Sequence, residues 1–408
     1  MKHSIHIGPL LRSMMRNKTR VLLLTVEIAV TVAVALNCSA MILQQLEVLR
    51  RDTGIAENEL IGVEVRPWAA DYQDFQYRQR IAREDLAAIR AMPGVRNATI
   101  INTFPLQGGG SSSLAGPLGS PREEWIRTPV YSADPQVFDT LGLEIVEGRG
   151  FRETDIPTEP GPYIANVVVT RDFADALFPE GNAIGQSIDT GGGEEYPDVI
   201  VGIVGHMFTP YGGGPMETRI TFFPRLPSST QRSQYLVRAE PGAVDQVYAS
   251  LTQTFVNVEP RRAVALRTMD EIKAGGYIQN NLMVDIYTVV VLLLLFVTAL
   301  GIFGITAYSV TQRTKQIGTR RALGAPKQAI LHYFLAESTL VSLIGLGLGL
   351  IGAYGLNVLL VNHAGAPKLD PVLVLVGSLS LWMLGLLATW APAQRASRLS
   401  PALATRTV

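Results

Sequence analysis

Few residues of this sequence are spaced for bond-making chemistry. Its 408 residues contain no HExxH pair, no G-x-S-x-G elbow and no GxxxxGK[ST] phosphate loop. His206 is the only histidine between residues 47 and 281, so a histidine-based metal site or triad cannot be assembled there. Glu194, Glu195 and Asp198 cluster beside glycines, but a calcium ion takes six to eight oxygens, and the group reads as a solvated turn. Gly108–Gly110 followed by Ser111–Ser113 lacks the lysine and the strand–loop–helix frame of a phosphate cradle; it reads as a flexible loop at a partner or substrate surface. What remains is charge in unusual places. Glu27 stands in a long apolar run, where a carboxylate is either paired or functional, or held near the head groups; Glu337, near the start of another such run, is expected to pair with a basic side chain of the 313–328 loop rather than to contact substrate. Residues 313–328 carry five cations and no acid around Ile317, Ala322 and Leu323. The expected chemistry is therefore docking and charge pairing, with no catalytic residue, no metal site and no cofactor held by this chain.

The elements that must position these residues are membrane helices. Val21–Leu46 is apolar apart from Glu27 and a few amides, and Ile286–Gln312, Leu340–Val361 and Val372–Ala393 hold no charge over 27, 22 and 22 residues. About 20 apolar residues cross the hydrocarbon layer. The first run is too long for a signal peptide's apolar region and lacks a clear cleavage site, so it is read as a retained helix. Between the runs the chain is ordinary and polar, which explains an overall charged fraction of only 17% and a mean hydropathy of +0.21. The chain has 35 basic and 35 acidic residues and a single cysteine, which excludes a disulfide framework, a four-cysteine zinc site and a CxxC redox pair. Nothing points to nucleic acid.

Basic residues mark the cytoplasmic side. Lys2, Arg12, Arg16, Lys18 and Arg20 precede the first run without an acid; Arg313, Lys315, Arg320, Arg321 and Lys327 come after the second; Arg395, Arg398 and Arg406 close the chain. Both termini and the 313–328 loop are expected inside, and residues 47–281, with 21 basic and 31 acidic residues, outside. The expected division is a cytoplasmic amphipathic segment 1–20, spans at 21–46, 283–311, 329–361 and 371–393, an extracytoplasmic domain 47–281, a cytoplasmic loop 313–328 and a tail 394–408. Gly345, Gly349 and Gly352 share one helical face and allow close helix approach.

The inserted segment reads as mixed α/β. Strands are expected at Leu60–Arg66, Val95–Thr103, Ile126–Tyr131, Asn166–Thr170, Val199–Val204, Arg219–Phe223 and Tyr235–Ala239. Helices are expected at Ile81–Met92, Pro135–Leu141, Arg171–Phe178 and Ala243–Val256, a flexible loop at Gly108–Gly119, and hairpin turns at Gly191–Gly193 and Gly212–Gly214. The fold class is thus an α-helical membrane protein of four transmembrane helices with a large mixed α/β extracytoplasmic domain between the first and second.

Arg313-Thr314-Lys315-Gln316-Ile317-Gly318-Thr319-Arg320-Arg321-Ala322-Leu323-Gly324-Ala325 closely resembles the R-x-x-E-I-G-x-x-x-A-L-G-A signature of MacB/FtsX-type ABC transporter permeases. Asn17-Lys18-Thr19-Arg20, the Leu141-Gly142 to Phe151 stretch, Phe178-Pro179-Glu180 and Val201-Gly202-Ile203-Val204 resemble further elements of that family. The resemblance implies a permease that passes the work of a separate ABC ATPase, which binds the ATP and magnesium, to motion of its extracytoplasmic domain. It implies a second permease copy or paralogue, and an adaptor and outer-membrane channel in efflux systems. Export of a drug, peptide or siderophore fits, as does lipoprotein release; a membrane sensor or a regulator of cell-wall hydrolases shares the architecture. Arg313, Lys315, Gln316, Ile317, Gly318, Arg320, Arg321, Leu323 and Gly324 are the expected ATPase-coupling residues. Gln316 stands where the family usually has glutamate.

Overall fold

The computed structural model describes residues 18–398 except 160, 212 and 213. The expected segment before Lys18, part of the Gly212–Gly214 turn and the tail beyond Arg398, with Arg406, lie outside the described residues. The chain divides into two compact units, one of residues 1–50 and 280–408, the other Arg51–Gln279. Helix α1 (Lys18–Leu49) belongs to the first.

The inserted unit alternates β1 (Leu60–Pro67), α2 (Phe75–Arg90), β2 (Val95–Ile101), β3 (Ser111–Pro117), β4 (Ile126–Ala133), α3 (Val137–Leu141) and β5 (Ile145–Gly148). It continues with β6 (Asn166–Thr170), α4 (Arg171–Leu177), β7 (Ser187–Asp189), β8 (Asp198–Val204), β9 (Thr221–Pro224), β10 (Ser233–Ala239), α5 (Val244–Val258), β11 (Arg262–Thr268) and α6 (Met269–Gly276). Strands β11, β1, β10 and β2 form an antiparallel layer. Ile61, Val63 and Tyr235 on these strands pack with Leu86 and Ile89 of α2 and Phe255 of α5. The order then runs β4, β3, β7, β8, β6, β9, and β9 returns to pair with β4 in parallel, closing a ring. Val167, Val169, Ile188 and Ile200 make its core with Phe173 of α4.

A buried ion pair ties the first layer together. Arg262 grips Asp85 with both nitrogens, Nη1–Oδ2 at 2.6 Å and Nη2–Oδ1 at 2.5 Å, and the two side chains are 1% and 0% exposed. Tyr235 donates its hydroxyl to Asp85 at 2.8 Å, while Arg262 also donates to the carbonyls of Glu259 and Phe255. Every nitrogen of the guanidinium has an acceptor, as burial of charge requires. Burial pushes the Asp85 carboxyl above its ordinary range, against the opposing pull of Arg262.

Several elements differ from their sequence reading. Helix α2 starts at Phe75, six residues before Ile81, because Asp74 caps it, accepting from the Tyr77 amide at 2.6 Å. The expected flexible loop at Gly108–Gly119 contains β3, whose residues 111–115 pair with Ile126–Val130 of β4 on one side while Gly116 and Pro117 meet β7 on the other. Backbone partners make that strand where side-chain propensity does not. Helix α6 is opened by a capping box in which Thr268 and Glu271 bond each other's amides.

The first unit is the membrane bundle. With α1, helices α7 (Ile278–Gln312), α9 (Lys327–Ala364) and α10 (Pro371–Ser397) are the four transmembrane helices. At 1.5 Å per residue, the 35 residues of α7 extend about 52 Å, well beyond the ~30 Å of hydrocarbon. Helix α1 lies against α9 through the glycine face. A Cβ on Gly345 would stand 2.8 Å from Ile28 Cβ, and one on Gly349 2.6 Å from Val32 Cβ, so neither position has room for one; at Gly352 the nearest atom, Ala33 Cβ, is 3.4 Å away. Several polar groups inside the bundle find partners: the Thr31 and Thr298 hydroxyls are 2.6 Å apart, and Asn357 donates to Asn37 Oδ1 at 3.0 Å and to the Pro367 carbonyl at 2.9 Å. Val289, Phe296, Leu300, Leu375 and Leu387 point outward, as a lipid-facing surface does.

Candidate functional site

The basic 313–328 segment folds as a short helix slung between two membrane helices. Helix α7 ends at Gln312, and α8 (Thr314–Ala322) begins after the single residue Arg313. Ile317 and Gly318 are buried on α8. Ile317, 5% exposed, packs with Val310, Ile330, Phe334, Ala393 and Ala396 from α7, α9 and α10. This corrects its expected place on a docking surface: Ile317 is the bolt that holds α8 to the bundle. Lys315, Gln316, Thr319 and Arg320 lie on the opposite, exposed face, and Leu323 beyond them is 84% exposed.

The end of α8 is fixed by its sequence. The Ala325 amide bonds the Arg320 carbonyl at 3.0 Å and the Gly324 amide bonds that of Arg321 at 3.1 Å, the pairing of a Schellman cap. Gly324 takes φ +91°, which a side chain would strain. Arg321 bends back to donate to the Ala325 carbonyl at 3.1 Å, so it closes the turn.

Charge gathers just inside this turn. Glu337 on α9 is 5% exposed and takes Arg313 at 3.1 Å and 3.4 Å. Arg20 of α1 approaches the same carboxylate to 3.7 Å and donates to the Ser309 hydroxyl on α7. Arg313 lies 3.5 Å from the Tyr333 hydroxyl, and the Arg320 guanidinium sits 5.4 Å above the Tyr333 ring. Beside them is a cavity of about 20 Å³, room for roughly one water. Glu27 is set apart from this group: its carboxylate packs over Gly301 of α7, and a Cβ there would meet its Cδ at 2.7 Å. Arg20, Tyr333 and Ser309 are members that sequence reasoning missed; the one available signal was an arginine at the start of α1 with a lone acid ten residues into α9. Among the described residues no cluster of histidines, cysteines and acids could hold a metal.

The MacB-like periplasmic core domain family matches residues 23–254, and the FtsX-like permease C-terminal family matches residues 288–401. The chain belongs to the MacB/FtsX-type ABC transporter permeases. This permease is similar to the uncharacterized ABC transporter permease YvrN of Bacillus subtilis, with 24% identity over 98% of this chain and 99% of that one. It is 26% identical to the macrolide export ATP-binding/permease protein MacB of Chromobacterium violaceum over 68% of its length, but spans only 43% of that protein. Among solved structures, the periplasmic region of MacB from Actinobacillus actinomycetemcomitans aligns over 56% of this chain and 96% of that one, at 17% identity and TM-score 0.36.

Proposed function

We propose that this permease couples ATP hydrolysis by a separate ABC ATPase subunit to motion of its inserted domain, in the service of export across the membrane. Both termini and α8 lie on the cytoplasmic side in this reading, as the three acid-free basic segments suggest, and the inserted domain lies outside. Two permease copies act with two ATPases, and the outward apolar faces of α7 and α10 meet lipid or the second copy. The exporter reading is supported by the macrolide exporters among the relatives; a drug, peptide, siderophore or lipoprotein is the class of cargo.

One observation carries the reading. A leucine 84% exposed among arginines, at the tip of a helix whose other face is bolted into the bundle, is arranged for a partner rather than for the fold. The fitting partner offers an apolar groove rimmed by acids. Burying one leucine side chain is worth about 1.5–3 kcal/mol, so Leu323→Asp should weaken ATPase capture by about tenfold or more while leaving membrane insertion intact. Lys315→Gln, on the same face, should change capture little. Co-purification of each variant with the cognate ATPase measures this, and undiminished capture by Leu323→Asp would overturn the reading.

A further inference from the structure

The apolar grip on α8 comes from α7, α9 and α10; among the described residues no side chain of α1 belongs to that cluster. Helix α1 packs in another cluster, in which Leu24, Ile28, Val32 and Leu36 meet side chains of α7, α9 and α10. Yet α1 runs on to Leu49, directly before the inserted unit begins at Arg51. A movement of α8 that is to reach the inserted domain through α1 needs a link between the two at the basic end.

That link is polar: beside the bond from Arg20 to Ser309 of α7, it runs through one carboxylate. Arg320 on the exposed face of α8 rests on Tyr333; Tyr333 lies beside Arg313, the hinge between α7 and α8; Arg313 holds Glu337; and Glu337 faces Arg20 on α1. Glu337 is the only acid between residues 286 and 369, so one anion serves two cations that stand on different helices. When α8 shifts, Arg313 shifts with it, and the share of the carboxylate left for Arg20 changes. Charge neutralisation in a low-dielectric setting is worth more than in water, which draws α1 after the carboxylate.

We infer that Glu337 is a positioning residue that couples α8 to α1 by holding Arg313 and Arg20 at once. The inference rests on the ATPase-coupling reading for its purpose but not for its geometry, and the test separates the two. Nitroxides are placed at Leu22 on α1 and Thr319 on α8 in the full-length permease carrying Cys38→Ser, in lipid nanodiscs. In the permease alone, Glu337→Gln should broaden the 22–319 distance distribution, and Glu337→Asp, which keeps the charge, should restore the narrow one. Arg20→Gln, which removes the α1 arm together with its bond to Ser309 and leaves Arg313 on Glu337, should broaden it at least as much and covers the case in which Glu337→Gln fails to fold. With the ATPase bound and ATP–vanadate trapped, Glu337→Gln should still capture the ATPase, but the ATP-driven displacement of α1 should be largely lost. A wild-type distribution in both Glu337→Gln and Arg20→Gln overturns the inference whether or not the ATPase binds. Failure of Leu323 to matter for capture overturns the coupling reading alone.

Discussion

Two buried charge clusters in this chain are built in opposite ways. In the inserted domain Asp85 and Arg262 match one to one, with bonds of 2.5 and 2.6 Å and with Tyr235 and two carbonyls using the remaining valences. In the membrane bundle Glu337 divides itself between Arg313 and Arg20 at 3.1 to 3.7 Å, and these arginines are 14% and 20% exposed. The first arrangement is saturated and has one geometry. The second has more positive than negative charge and admits more than one division of its bonds. A saturated pair fixes a fold, whereas an unevenly shared one suits a part that has to move.

The comparison breaks most visibly at Asp85. Asp85→Asn leaves Arg262 buried without a counter-charge and should destabilise the inserted domain by about 3–5 kcal/mol; hydrogen exchange of α2 and β11 amides in the full chain measures it. If the bundle cluster is the looser one, Glu337→Gln should lower the melting temperature of the detergent-solubilised chain by less, since Arg20 and Arg313 can turn toward water or head groups. Equal losses would end the contrast. Steric fit in the bundle is less forgiving than charge: Gly349→Val should cost about 1–3 kcal/mol by forcing Val32 aside, read as a lower melting temperature in the same assay.

Smaller effects sharpen the picture. Glu259 in the inserted domain is held by hydrogen bonds from Arg261, with Tyr77 adding another, and its carboxyl is lowered from 4.5 to about 2. A depressed acid stabilises the fold above its unfolded pKa and loses that contribution as pH falls. Unfolding curves should therefore weaken between about pH 4.5 and 2, and Glu259→Gln should flatten that limb; an unchanged slope would show that Arg261 does not hold Glu259 in solution. Least of all, Thr298→Val removes a membrane hydrogen bond to Thr31 and should cost about 0.6 kcal/mol in the melting assay.

Much of the architecture was legible because membranes impose a coarse rule. Runs without charge, 22 to 27 residues long, admit few readings other than a spanning helix. The inserted domain was harder. Strand β3 is written in serine and glycine and exists through its neighbours' backbones. Strand β11, an alternating Arg262–Thr268, and the capping box at Thr268 do carry local signals that sequence reasoning missed. At the candidate site the segment and its exposed leucine could be picked out, but not the direction of Ile317. In a nine-residue helix an apolar residue at the right spacing serves a partner or the protein's own core equally well, and only the positions of Phe334 and Ala396 decide. Arg20 reads as a topology signal in sequence because its partner lies more than 300 residues away.

One residue joins α7 to α8, and four, closed by a left-handed glycine, join α8 to α9. There is no slack on either side. Each residue added to a helix turns the rest of that helix by about 100°, so a single insertion after Gln312 would rotate Ile317 out of its seat and swing Leu323 away from the surface where it is displayed. Chain length in this stretch is therefore as much a part of the message as residue type. The segment acts as a gear tooth cut to phase, tolerant of a changed surface side chain and intolerant of a changed count.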